Sequence, residues 1–283
     1  MRLIYIASLS LFFVASPVLA VSISVMPEVI EQGSPVLIRV HDVPAGSTVS
    51  RVTIGANSIP VFTYQSIPSA LFGVPLTGTV GSRTITAQLS NGTAVTHELI
   101  INPLIKETRV NPPVPVKLGG NGVKNELRIV SVLEKENFAI SNLFTQPKAL
   151  WKNGFVPPLL APIVTDTFGY IRTGSASTIT HKGTDYRAKE GTPIIAMNKG
   201  IVRLSKKFTV YGNTVIIDHG LGVQTLYMHL SKLKVAHGQL VEQGTVLGYS
   251  GKTGYAEKPH LHLSVRINGA SVDPQKFLSL FAK

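Results

Sequence analysis

The chain has 283 residues, 27 Lys and Arg against 15 Asp and Glu for a net charge of +12, 44% apolar residues and no cysteine. A chain of this length buries a core without covalent staples, and the lack of cysteine excludes both disulfides and a lipid-modified N-terminal cysteine. The positive balance calls for an anionic partner, and charge alone does not say of which kind.

Met1 to Ala20 carries one basic residue, Arg2, then the apolar stretch LFFVASPVLA ending in small residues. This is the pattern of a cleaved secretory signal. An uncleaved anchor is the competing reading, because the run nearly reaches the length of a membrane span; Ser8, Ser10, Ser16 and Pro17 argue against it. No later apolar run is long enough to span. The expected location is the periplasm or the outside of the cell, with no stable membrane insertion after signal removal.

Residues 21–105 hold short β-branched runs, SVMPEVIEQGSPVLIRV, SRVTIGANSIPVF and SRTITAQLSNGTAVTHELII, broken by Gly, Pro and Asn-Gly turns. They predict an immunoglobulin-like β-sandwich. Its functional reading is a targeting or regulatory module, and its structural one is a domain that only packs on the C-terminal half. Residues 106–150 are expected to be a linker. NPPVPVKLGG (Asn111 to Gly120) should be extended, and Asn125 to Phe144 has apolar residues at 127, 130, 133, 140 and 144 at loosely helical spacing, which predicts a connecting helix.

In residues 151–283, glycines punctuate short apolar runs such as NTVIID and TVLGYS, which predicts strands joined by tight turns into a β-sheet platform. Four histidines and an aspartate sit in these turns and strands: His181 and Asp185 in HKGTD, His229 in YMHL, His260 and His262 in PHLHL. In PHLHLSV the period of two points His260 and His262 to one face. Gly183 marks a turn entering a strand, so His181 and Asp185 can converge without a helix. An isolated H-x-H or H-x-x-x-D pair is weak: Asp185 could cap a turn and His229 could be a satisfied core ring. Together they read as a catalytic zinc site, since such zinc takes three protein donors and leaves one position for water. His219 and His237 read as turn or surface histidines. His97-Glu98 fails the helical zinc motif because position 101 is Ile, and His41 has no partner in sequence.

These phrases occur in a recognisable order: FGYIR, HKGTDYRA with GTPIIA, NKGIV, YGNTVIIDHG, LYMHL, GQLVEQGTVLGYSGKTG, PHLHLSV and VDPQKFL. From about Phe155 to Leu280 the chain resembles the M23 zinc metallopeptidases, the lysostaphin-like or LytM-type peptidoglycan endopeptidases. The resemblance implies a mainly β chain whose C-terminal part is a LytM-type antiparallel sheet domain. It implies that His181, Asp185 and His262 hold Zn2+, with His229 and His260 unligated beside it as proton acceptor and oxyanion stabiliser. The two roles stay unassigned between them. Tyr170 is an expected oxyanion or substrate contact, or else a partly exposed packing tyrosine.

Residues 151–283 contain 16 Lys and Arg against 7 Asp and Glu, a balance of +9, whereas residues 21–150 give 10 against 8, or +2. A cationic cleft suits peptidoglycan, while the export signal and the lack of an aromatic-basic stacking motif argue against nucleic acid. The expected function is hydrolysis of peptide cross-links or stem peptides of peptidoglycan. The alternative is a non-catalytic LytM-type module that binds the wall or activates another hydrolase; such modules lack some metal residues, and this chain keeps all five. The sandwich or the helical linker is expected to cover the groove in a resting form.

Overall fold

The computed structural model describes residues 20–110, 122–174 and 176–282. The expected signal (1–20, but for its last residue) and the NPPVPVKLGG stretch lie outside them. Ten strands come first: β1 (Ser22–Met26), β2 (Ile30–Glu31), β3 (Pro35–His41), β4 (Val49–Ile54), β5 (Asn57–Ile59), β6 (Val61–Tyr64), β7 (Ile67–Gly73), β8 (Gly81–Leu89), β9 (Ala94–Asn102) and β10 (Thr108–Val110). They form two sheets, ordered β1-β3-β7-β6 and β2-β9-β8-β4-β5, with β10 leaving to join the second half. Alternation explains the packing: Val36, Ile38 and Val40 of β3 face Val52 and Ile54 of β4 and Ile85 and Ala87 of β8 in one apolar core. His41 does find a partner here, with its Nε2 2.7 Å from Ser24 Oγ.

Helix α1 (Val123–Ser141) comes next in the chain. The spacing's connecting helix is present; its buried residues are Ile129, Glu136 and Ile140, while Leu127 is exposed. A carboxylate, Glu136, is turned inward because backbone donors await it.

The remaining strands are β11 (Val164–Asp166), β12 (Ile171–Thr173), β13 (Thr178–Thr180), β14 (Thr184–Arg187), β15 (Pro193–Ile195), β16 (Gly200–Lys207), β17 (Asn213–Gly220), β18 (Val223–Leu230), β19 (Lys232–Leu233), β20 (Leu240–Val241), β21 (Val246–Tyr249), β22 (His260–Ile267) and β23 (Ala270–Val272), closed by helix α2 (Pro274–Ser279). An antiparallel sheet of order β11-β14-β22-β18-β17-β16-β20, with β23 added on β22, is the platform. The chain is thus mainly β, as its patterning predicts.

One face of this sheet presents Leu261, Leu263, Val265 and Ile267 of β22 with Tyr227, Val215 and Ile217 to a large core that also takes in Leu37, Tyr64 and Leu71 of the first half. Trp151, Phe155, Phe277 and Phe281 join it with ring centroids 4.7–5.5 Å apart. Since Phe277 is fully buried, Phe277→Ala should cost about 3–5 kcal/mol, read as a lowered urea midpoint. The other face carries Leu204, Phe208, Ile216, Leu226 and Met228, covered by Ile140 of α1.

His219 departs from the sequence reading. It lies fully buried in β17, with Nδ1 2.8 Å from Lys199 O and Nε2 2.7 Å from Thr225 Oγ1. Burial pushes its pKa down to about 4 from 6.5. The unfolded chain therefore binds the extra proton first, so stability is complete above pH ~6.5 and lost as pH falls toward 4. With metal chelated, the wild type should lose about 3 kcal/mol more than His219→Gln between pH 7 and pH 4 in urea denaturation.

Among the described residues no helix is long and apolar enough to cross a membrane.

Candidate metal centre

Antiparallel pairing of β14 with β22 sets Asp185 opposite His262, and pairing of β22 with β18 sets His262 opposite Met228. Tyr186, Leu261 and Leu263 fill the core on the reverse face, so Asp185 and His262 are fixed on the side shared with α1. His181 enters from the turn before β14. That turn passes so close to β22 that a Cβ on Gly183 would run into His262 Nε2 and stand 2.5 Å from Leu263 O, which reserves the position for glycine.

Three atoms converge: His181 Nε2 to Asp185 Oδ1 is 3.2 Å, His181 Nε2 to His262 Nδ1 is 3.1 Å, and His262 Nδ1 to Asp185 Oδ1 is 2.7 Å. These three side chains form one group able to hold a metal ion.

Partners on the far side of each ring assign the tautomers. His181 Nδ1 lies 2.7 Å from Thr167 O, and a carbonyl only accepts, so the proton is on Nδ1 and Nε2 is bare. His262 Nε2 lies 3.2 Å from Ser264 Oγ, whose own proton goes to Lys182 O at 2.6 Å, so Nε2 donates and Nδ1 is bare. Two lone pairs and a carboxylate oxygen thus face one another without a proton between them.

A cation resolves that repulsion. Tetrahedral zinc with ligand bonds of about 2.0–2.1 Å separates its donors by roughly 3.3 Å, close to the spacing here, and the mixed N and O donor set is one that zinc takes. The residues fit the ion, and the carbonyl and hydroxyl behind each ring are the supports that orient ligating histidines.

His229 and His260 complete the cluster without joining the triad. Their ring centroids are 4.9 Å apart, and His229 is 6.0 Å from His262. His260 Nε2 is 3.9 Å from Asp185 Oδ1. Nδ1 of His229 meets Thr253 O at 2.9 Å and Nδ1 of His260 meets Lys258 O at 2.8 Å, which leaves each Nε2 with the lone pair. His229 sits at φ 61° within β18, a left-handed residue that breaks the strand's alternation: Tyr227 and Leu230 reach the same core. Burial, with His260 and His262 beside it, pushes its pKa down to about 3.

Tyr170 is buried rather than half open, at 3% exposure, and its ring lies 4.8 Å from that of His181. Its hydroxyl accepts from Arg172 Nε, and burial pushes its pKa up to about 12, so it stays a phenol. Arg172 Nη2 also reaches Asp185 Oδ2 at 3.4 Å. Arg172 and Ser264 were missed by the sequence reading. Ser264 was findable, since the period of two that aligns His260 with His262 continues to it; Arg172 stands in FGYIR beside Tyr170 with no spacing rule to single it out.

Helix α1 lies along this same face. Glu136 accepts from the backbone N–H groups of Thr209, Val210 and Tyr211, and Asn137 Oδ1 accepts from Tyr211 OH at 3.0 Å and Arg266 Nη2 at 3.1 Å. At the other end Glu126 accepts from Ala176 N and Ser177 Oγ in the loop joining β12 to β13. Glu126 and Glu136 are about 15 Å apart along a helix rising 1.5 Å per residue, so α1 bridges two loops across the sheet face that holds the histidines.

Comparison with known proteins fits this geometry. Residues 179–274 match the family model described as Peptidase family M23. The DD-carboxypeptidase/endopeptidase Mpg of Neisseria meningitidis serogroup B is 42% identical over 125 residues, 44% of this chain and 29% of that protein. The peptidoglycan DD-endopeptidase ShyA of Vibrio cholerae is 40% identical over 96 residues, 34% of this chain and 22% of that protein. The chain therefore spans less than a third of the length of these curated relatives. A crystal structure of a Pseudomonas aeruginosa protein described as a peptidase M23 superposes with TM-score 0.60 at 24% identity, covering 91% of this chain and 97% of that one, a likeness of fold. Residues 179–274, which hold the His-Asp-His cluster, are thus the part of the chain that is similar to Peptidase family M23.

Proposed function

We propose that the chain is a zinc-dependent endopeptidase that hydrolyses amide bonds in the peptide cross-links or stem peptides of bacterial peptidoglycan. The observation that carries this reading is the convergence of three proton-free donor atoms with two further imidazoles at their side. The names of the relatives, peptidoglycan DD-endopeptidases among them, support the substrate, as does the +9 balance of residues 151–283. Held by His181, Asp185 and His262, zinc would supply a Lewis acid toward a carbonyl oxygen and bring the pKa of a bound water to about 7.

The chain's own part is proton handling. His229 and His260 each offer a bare Nε2, so either ring can take the proton of an attacking water and then, as imidazolium, donate to the developing oxyanion. At 4.9 Å the rings act as a pair, in which protonation of one disfavours protonation of the other. Tyr170 backs His181, and its proposed contact with substrate would require the phenol to leave Arg172.

The same reading extends to organisation: a signal over 1–20, an immunoglobulin-like sandwich over 21–105, a linker over 106–150 and the peptidase unit over 151–283, exported to the periplasm or beyond. With α1 across the site face, this is a resting form. Charge-assisted hydrogen bonds are worth about 1.5–3 kcal/mol each, so loosening both carboxylate anchors shifts the balance toward an open groove. Glu126→Ala/Glu136→Ala should cleave sacculi at least about tenfold faster than the wild type. A rate no faster would remove the basis for a covering role.

A further inference from the structure

We propose that the loop 209–211 is a carboxylate-binding subsite of the substrate groove, and that Glu136 of α1 occupies it here in the substrate's place. The inference rests on the peptidase reading above and names a chemical feature that its substrate must carry.

Three successive backbone N–H groups converge on one carboxylate. Thr209 N and Val210 N reach Glu136 Oε1 at 2.6 and 3.0 Å, and Val210 N and Tyr211 N reach Oε2 at 3.2 and 3.1 Å. The three residues lie between β16 and β17, outside any strand, so no ladder partner satisfies these donors. Such a concavity of backbone N–H groups binds anions, and leaving it empty in a half-buried place is unfavourable.

The loop is joined to the reacting site by backbone. Tyr211 O accepts from His229 N at 3.0 Å, and Val210 O accepts from Tyr255 N at 2.7 Å. An acid group seated on the loop is therefore registered against His229 through one hydrogen bond.

The sheet side of the contact offers donors and α1 supplies acceptors. Besides the three N–H groups, Tyr211 OH and Arg266 Nη2 donate to Asn137 Oδ1, and Arg266 Nε is buried with no hydrogen-bond partner. A ligand that displaces α1 must bring a carboxylate for the loop and a carbonyl beside it, which is the chemistry of a peptide bearing a free acid. A neutral peptide satisfies the second requirement and leaves the first unmet.

The test uses the full chain carrying Glu136→Ala, with metal chelated so that nothing is cleaved. The probes are a peptidoglycan stem peptide with free carboxylates and the same peptide as its carboxamide. The amide resonances of Thr209, Val210 and Tyr211 should shift with the acid, with affinity at least tenfold above that for the carboxamide, and the wild type should bind the acid more weakly than the variant. Glu136→Gln, which keeps the shape of the side chain, should fall between the two and serves if the alanine variant loosens the helix. Equal affinity for acid and carboxamide, or unmoved 209–211 amides, overturns the proposal. Because binding is read without turnover, a chain that binds the acid here yet cleaves no sacculi when supplied with zinc would sink the hydrolase reading and leave the subsite standing.

Discussion

His262→Ala is expected to lower bound zinc from about one ion per chain to near zero, and to cut hydrolysis of sacculi by at least about 100-fold. Changing a group that merely supports a metal ligand costs 10–100-fold in affinity or activity, and His262 is in the triad itself. Its Nδ1 lies 2.7 Å from Asp185 Oδ1 and 3.1 Å from His181 Nε2, so its removal leaves two donors where three are needed. The strand should survive: Leu261, Leu263 and Val265 hold β22 in the core on the opposite face. Apo wild type and apo variant should therefore unfold at closely similar temperatures, while only the wild type gains stability when zinc is added. Full zinc occupancy in the variant would contradict the ligand set.

His229→Asn is expected to cut the rate by about 10²–10⁴ while leaving zinc content unchanged. Asparagine is chosen because position 229 has φ 61°, a conformation that His, Asn and Asp tolerate better than Ala. His229 sits outside the triad, with Nδ1 committed to Thr253 O, so its loss removes the bare Nε2 without touching a donor atom. His260→Ala should fall in the same range. The double variant should lose little more than the worse single one, because the two rings serve one proton and groups acting as a unit are not additive. If His229→Asn also lost its zinc, the division between ligands and proton carriers would be wrong.

The histidine cluster was legible because strand geometry is arithmetic. Positions 260 and 262 share a face by the period of two, and a glycine turn at 183 lets His181 fold back on Asp185. Which nitrogen faces the centre was not legible for His181 and His229, since that depends on Thr167 O and Thr253 O, 14 and 24 residues away, whereas the partners of His260 and His262, Lys258 O and Ser264 Oγ, stand two residues away. Helix α1 was legible from its apolar spacing, but what positions it was not: Glu126 and Glu136 hold two loops far along the chain, and hydrophobic periodicity carries no record of a carboxylate meeting backbone donors. His219 failed likewise: the HGLG context reads as a turn, yet β17 runs on to Gly220 and encloses the ring.

Muropeptide analysis of sacculi incubated with the protein lacking residues 1–20, with and without a zinc chelator, tests the peptidase assignment most directly. The predicted result is a loss of cross-linked dimers that the chelator prevents, faster still with Glu126→Ala/Glu136→Ala. Dimers that persist with both proteins, or vanish equally in the chelator's presence, would contradict it.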